Sequence, residues 1–286
     1  MAHADLFYGL LLLFGISSLS CGARPKITDS CCPLWKVKYM FGNRLLAKVA
    51  GVFARSSNLP QRSSSTNEHA GHAWQGAQKY EREFWIRYIR DELNITTRDQ
   101  AVGFRLCEGR VHLCQFGLLW DNWMYSRDLP LISGKLLDVG SSLVSVFEKC
   151  RSVSVVAIDP SLETLAQNLP ELVVLGKVNN CDYRCCRIQE VEKTDFDIIW
   201  CNNVLDHTDD WQDIIRHFRR VIKKSGQLFL GTDVRGSGGL LDAGHISAFT
   251  ADEVVSEVVS NGFEVIWQTP PVDLPQYRFS LRAVKQ

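Results

Sequence analysis

From residue 134 to the C-terminus, short apolar runs alternate with polar stretches that carry a helical beat. "LLDVGSSLVS" (136–145) reads as a strand, a tight turn and the start of a helix. "SVVAIDP" (154–160), "DYRCCRI" (182–188), "DFDIIWCN" (195–202) and "QLFLGTD" (227–233) read as further strands, rich in apolar and β-branched residues. "SLETLAQNLPEL" (161–172), "DWQDIIRHFRRVIKKSG" (210–226) and "TADEVVSEVVSNG" (250–262) read as helices, the second stopped by Gly226 and the third capped at its start. The last two strands, "FEVIWQT" (263–269) and "QYRFSLRAVK" (276–285), are joined by a link too short for a crossover helix, so they pair antiparallel. The pattern predicts an α/β fold: a doubly wound, mostly parallel seven-stranded sheet with a C-terminal antiparallel hairpin.

Upstream the beat is different. In "AWQGAQKYEREFWIRYIRDELNI" (73–95), Trp74, Ala77, Phe84, Tyr88 and Ile95 recur at roughly helical spacing, which predicts a long amphipathic helix packed on the following domain. Residues 107–124, with Trp120 and Trp123, read as a second helical piece. "SSNLPQRSSSTNEHAGH" (56–72) is Ser-rich and without period, and reads as a linker. Leu6–Leu19 is an uncharged apolar run, short for a spanning helix and typical of a signal or interfacial segment. The expected division is an apolar segment at 1–23, a basic segment and linker at 24–66, a helical cover at 67–132 and the main domain at 133–286.

The chain has 286 residues and a formal net charge of zero, which argues against a dedicated nucleic-acid binder. The neutrality hides a basic stretch: Arg24, Lys26, Lys36, Lys38, Arg44, Lys48, Arg55 and Arg62 stand against Asp29 alone. Because these charges follow the apolar run, the positive-inside rule keeps the rest of the chain cytoplasmic. One reading is a peripheral membrane contact through residues 1–55. A packed N-terminal helix, or a start site placed too far upstream, accounts for the run equally well. The ten cysteines form no CxxC pair and read as small buried hydrophobes. Cys107, Glu108, His112 and Cys114 can be drawn together, but nothing else supports a metal there, and no metal site is read from the sequence.

In open parallel sheets ligands bind beyond the carboxyl ends of the strands, so the informative residues follow each strand. After the first come Asp138, Gly140, Ser141 and Ser142; after the second, Asp159, placed to accept hydrogen bonds from two ribose hydroxyls. After the third come Ile188, Gln189 and Glu190, and after the fourth "CNNVLDHTDD" (201–210). The stretch 136–142 resembles the first motif of class I S-adenosylmethionine-dependent methyltransferases, and "VVAIDP" resembles their acidic second motif. "RIQEV" resembles the segment flanking the adenine, "DFDIIWCNNVLDHTDD" the family's fourth-strand segment, and "GHISAFTADEVVSEVVSNGFEV" (244–265) its late signature. The resemblance spans about residues 133–285 and implies a Rossmann-like methyltransferase fold, S-adenosylmethionine as methyl donor and a small-molecule or saccharide- or lipid-linked acceptor. It implies that Asp138, Gly140 and Ser141 border the methionine part, Asp159 the ribose, Ile188 and Gln189 the adenine, and Asn202 the amino group. His207 and His245 would face the acceptor. The family usually has glycine where this chain has Ser142.

Two other readings compete. A methyltransferase-like interaction module with weakened cofactor binding is supported by the loop serines. A nicotinamide-dependent dehydrogenase expects G-x-G-x-x-G, where the register from Gly140 reads G-S-S-L-V-S, and it ranks last. A left-handed Ser142 would favour the module. The glycine-rich stretch 232–246 reads as a loop over the acceptor, or as a plain connector. The acceptor itself and the oligomeric state have no readable code.

Overall fold

A computed structural model describes residues 67–118, 132–192, 195–235, 244–270 and 276–286. The segments at 1–23 and 24–66, the residues Trp120 and Trp123, and most of the glycine-rich stretch lie outside the described residues. So do the side chains of Cys107 and Cys114. Two helices come first, α1 (Asn67–Arg87) and α2 (Arg98–Gln115). Then follow β1 (Gly134–Val139), β2 (Val153–Ile158), α3 (Leu162–Asn168), β3 (Gly176–Val178), β4 (Cys181–Arg184) and β5 (Phe196–Asn202). The chain continues through α4 (Trp211–Val221), β6 (Ile222–Arg235), α5 (Ala251–Ser260), β7 (Phe263–Gln268) and β8 (Gln276–Lys285).

The strands form one mixed sheet in the order β3-β4-β2-β1-β5-β6-β8-β7. Strands β4, β2, β1, β5 and β6 run parallel, and β8 lies antiparallel between β6 and β7. The expected architecture is therefore present, hairpin included. An eighth strand, β3, adds to the far edge by pairing antiparallel with β4. The order reverses between β1 and β5, which makes their carboxyl ends the switch point of the sheet.

The central strands are apolar runs because both their faces are covered. Leu136, Ile198, Trp200 and Phe229 face a core shared with α2 and the loop after β1. There Trp200 meets Phe116 at 4.7 Å and Phe147 at 5.0 Å between ring centroids. Leu137, Val139, Ile199, Cys201 and Leu230 face the other core with Ile214, Phe218, Val254 and Val258 of α4 and α5. Cys150, Cys181 and Cys201 are buried and free, as expected of small hydrophobes, whereas Cys185 and Cys186 are only half-buried. Among the described residues no helix is long and apolar enough to cross a membrane.

The first helix begins at Asn67, inside the run 56–72 that reads as a linker, and three local expectations in the main domain are corrected as well. Residues 141–150 form a chain of turns rather than a helix. Their backbone groups are taken up by side chains from elsewhere. Arg105 Nε donates to the Val144 carbonyl at 2.9 Å, and Asn180 Nδ2 donates to the carbonyls of Phe147, Cys150 and Val153. The Ser145 amide donates to the Tyr183 hydroxyl oxygen at 2.9 Å. With these partners supplied, a helical ladder is not needed. Second, the run 210–226 is helical only to Val221. Lys285 Nζ donates to the Arg219 and Ile222 carbonyls at 2.9 and 2.6 Å, closing the helix end as β6 begins. Third, the strand expected over 182–188 ends at Arg184, and Ile188–Glu190 is a single 3-10 turn.

Candidate active site

The loop after β1 turns sharply at Gly140, whose φ is +71°. A Cβ there would run into Cγ2 of Val204, which follows β5, so this position requires glycine on grounds of both conformation and space. Ser142 is also left-handed, with φ +56°. For an L-residue that conformation costs roughly 1–2 kcal/mol. It is held by the Ser142 amide, which donates to Asp159 Oδ2 at 3.0 Å, while the Ser161 amide donates to Asp159 Oδ1 at 2.8 Å. One carboxylate thus ties the loop after β1 to the loop after β2. Burial pushes the Asp159 carboxyl above its usual range, and the two amides pull it back.

Asp138 sits at the end of β1 and is almost wholly buried. Burial pushes its carboxyl up to about 6, against a lowering by a hydrogen bond from Ser145 and by the Arg105 charge. Its Oδ2 has no hydrogen-bond partner, and neither do the buried hydroxyls of Ser141 and Ser142. The loop is braced from outside by Arg105 of α2, which donates to the Ser141 carbonyl at 3.3 Å as well as to that of Val144. Orphaned polar atoms clustered around a forced glycine fit a polar, cationic ligand at this edge better than a packed core.

After β4, Ile188 is buried in the core beside Leu137, Val139 and Val156, and Gln189 Nε2 donates to Asp210 at 2.7 Å. Helix α1 passes above these loops. Arg187 stacks 3.4 Å from the Trp74 ring, and the Ser161 hydroxyl donates to Gln78 Oε1 at 3.1 Å. Farther along α1, Glu81 Oε1 stands 3.4 Å from His207 Nδ1.

After β5 the polar groups form a connected network. Arg278 of β8 pairs in register with Asp233 of β6, and Nη1 meets the Asp233 carboxylate at 3.1 Å. The same guanidinium donates to Asn202 Oδ1 at 2.7 Å and to Asn203 Oδ1. Asn203 Nδ2 lies 3.2 Å from His207 Nε2, and His207 Nδ1 lies 2.8 Å from the Gly244 carbonyl oxygen. A carbonyl can only accept, so Nδ1 carries the proton and the Nε2 lone pair receives the Asn203 amide. His245 stacks over His207 with ring centroids 4.5 Å apart, and its Nε2 is 3.3 Å from Asp206 Oδ2. Asp206 is fully buried, and its Oδ1 accepts from the Thr232 hydroxyl at 3.0 Å.

The structure therefore gathers Asp138, Gly140, Ser141, Asp159 and Asn202 at the switch point, with His207 and His245 on the β5 side. Ile188 and Gln189 lie at the same sheet edge, Ile188 as part of the core and Gln189 engaged by Asp210. Arg105, Arg278 and Asp206 were not singled out in the sequence as site-forming residues. Arg278 shares the polar face of its strand with Ser280 and Arg282, opposite the apolar Phe279, Leu281 and Ala283, so it carries no local signal.

Residues 137–230 match the family described as a methyltransferase domain, which bears out the resemblance drawn from the motifs. Over 116 residues the chain is 31% identical to a ubiquinone biosynthesis O-methyltransferase of Pseudomonas aeruginosa, covering 39% of this chain and 49% of that protein. The chain thus spans about half the length of the curated relatives it matches. Among solved structures it is similar to a Burkholderia thailandensis 1,6-didemethyltoxoflavin-N1-methyltransferase with bound S-adenosylhomocysteine, at 16% identity and a TM-score of 0.48 over 79% of this chain and 94% of the other. Another is the magnesium protoporphyrin IX methyltransferase of Synechocystis, at 14% identity and a TM-score of 0.45 over 79% and 100% of the two chains.

Proposed function

We propose that the methyltransferase domain of this chain is an active enzyme, moving a methyl group from S-adenosylmethionine to a small-molecule or saccharide- or lipid-linked acceptor. The observation that carries this reading is the junction at the switch point. Asp159 joins the loops after β1 and β2, and the polar network after β5 opens beside it through the Gly140–Val204 contact. When bound, S-adenosylmethionine supplies an activated methyl on a sulfonium centre, so the protein's task is alignment and exclusion of water.

Asp138 offers its unpaired oxygen to the positive charge of the donor, and Asp159 offers its remaining lone pairs to the ribose hydroxyls. Ser141, Ile188, Gln189 and Asn202 line the same edge. The Asp206 carbonyl holds the segment that carries His245 by accepting from the Ile246 and Ser247 amides, and Asn203 and Gly244 orient His207. These residues would hold the acceptor's nucleophilic atom in line with the methyl carbon and the sulfur, the arrangement that transfer to the acceptor with release of the thioether requires. In the absence of a bound cation, His245 would take the proton released by the acceptor. An oxygen acceptor is the simplest choice, given that the P. aeruginosa relative is named an O-methyltransferase.

One observation favours the second reading, an interaction module with weakened cofactor binding. Ser142 is left-handed where the family usually has glycine. Thermal shift of the full chain separates the two readings. Stabilisation by micromolar S-adenosylhomocysteine and none by NAD supports the enzyme; no response to either supports the module.

A further inference from the structure

We infer that Asp206, His207 and His245 hold a divalent transition-metal cation whose open position grips an acceptor hydroxyl; the acceptor role rests on the functional reading above, the binding of the cation does not. The three side chains each offer one ligand atom, and these atoms lie within 4.8 Å of one another. Asp206 Oδ2 stands 3.3 Å from His245 Nε2 and 3.8 Å from His207 Nε2. Bonds of about 2.0–2.2 Å from zinc to imidazole nitrogen or carboxylate oxygen place neighbouring ligand atoms roughly 3–3.5 Å apart, so Asp206 and His245 already stand at ligand spacing and His207 has to move in to join them.

A second observation points the same way. Asp206 is fully buried, and its Oδ2 has no hydrogen-bond partner although Oδ1 is satisfied by Thr232. An unpaired carboxylate oxygen in such a place is costly unless a cation answers it. The surroundings are those of an oriented ligand set. The Nδ1–H of His207 is spent on the Gly244 carbonyl, which leaves Nε2 as the ligating atom. The Asp206 carbonyl accepts from the amides of Ile246 and Ser247 at 2.9 and 3.2 Å. Those two bonds fix the segment that carries His245 against the turn that carries Asp206 and His207. Asn203 Nδ2, near His207 Nε2, is the contact a cation would displace.

Two imidazoles and one carboxylate prefer zinc, cobalt or iron over magnesium or calcium. Three protein ligands leave a coordination position open. An acceptor hydroxyl bound there loses its proton more readily, the proton leaving to water, and the resulting oxygen bonds the methyl carbon as the carbon–sulfur bond breaks. No redox step is involved.

The test is titration of the metal-stripped full chain with Zn²⁺ and Co²⁺, followed by calorimetry and by the cobalt absorption spectrum. The expected result is one cation per chain, with a nitrogen–oxygen spectrum free of thiolate charge transfer and no displacement by excess Mg²⁺. Both Asp206→Asn and His245→Gln should weaken binding by at least the roughly tenfold to hundredfold seen for changes around a metal. If Asp206→Asn does not fold, His245→Gln alone decides. No binding, a thiolate spectrum, or unchanged affinity in the folded variants would overturn the inference. Asp159→Ala should keep the metal while losing S-adenosylhomocysteine. Metal binding by a wild-type chain that ignores S-adenosylhomocysteine would uphold the cation site and sink the methyl-transfer reading; the reverse pattern would sink the cation site alone.

Discussion

The two halves of the site are built differently. On the β1 side, a loop without a helix is braced by side chains of other elements, keeps Ser142 in a strained conformation and leaves three oxygens, on Asp138, Ser141 and Ser142, unpaired. On the β5 side, most polar groups are tied into a chain that runs from Asp233 through Arg278 and Asn203 to His207 and Gly244, and the buried Asp206 Oδ2 stands outside it. The first half is shaped as if to receive a partner and bears the cost of waiting. The second is preorganised by pairing across the sheet. The contrast places the ligand-dependent stability in the β1 loop and the intrinsic rigidity at the β5 end.

Breaking the rigid half should have the largest effect. Arg278→Ala takes the guanidinium away from the half-buried Asp233 carboxylate and from two amide oxygens, and is expected to cost about 3–5 kcal/mol of stability in urea unfolding. Arg278→Lys should recover only part, since an ammonium cannot bridge both Asn side chains in a fork.

In the other half, Asp159→Ala removes the acceptor of the Ser142 and Ser161 amides and the expected ribose contacts. It should weaken S-adenosylhomocysteine binding by about 3 kcal/mol, roughly a hundredfold.

Asp138→Asn sharpens the contrast through pH. Burial raises the folded Asp138 carboxyl to about 6, above its ordinary value, so the folded state binds more protons than the unfolded state between the two. Its stabilising influence is full below the unfolded value and is lost as pH rises through about 6. Relative to wild type, Asp138→Asn should therefore gain up to about 2–3 kcal/mol of ligand-free stability at pH 7.5 that is absent at pH 4. The same variant should bind S-adenosylhomocysteine more weakly. An equal change at both pH values would show that the carboxyl is not perturbed.

The smallest effect is Ser142→Gly. Relief of left-handed strain is partly offset by glycine's greater unfolded-state freedom, leaving a net gain of about 1 kcal/mol. It should also tighten cofactor binding.

The strands, the parallel order and the closing hairpin were legible because both faces of β1, β2 and β5 are buried, which writes an apolar run into the chain. The β1 loop was legible as a motif, but not its lack of a helix. That depends on Arg105, Asn180 and Tyr183, which are remote in sequence and satisfy its backbone. The role of Ile188 was left open for the same kind of reason: an apolar residue after a strand can serve a ligand or the core, and its burial in the core beneath this edge is compatible with both. Arg278 was invisible because its meaning comes from register with Asp233. The left-handed Ser142 was posed as a question by the sequence, and backbone geometry answered it.

Calorimetric titration of the full chain with S-adenosylhomocysteine, run on wild type, Ser142→Gly and Asp159→Ala, tests the site most directly. Micromolar binding by wild type, tighter in Ser142→Gly and lost in Asp159→Ala, is the predicted result. Absence of binding in both wild type and Ser142→Gly, with each protein folded, would contradict an active methyltransferase site and leave the interaction module.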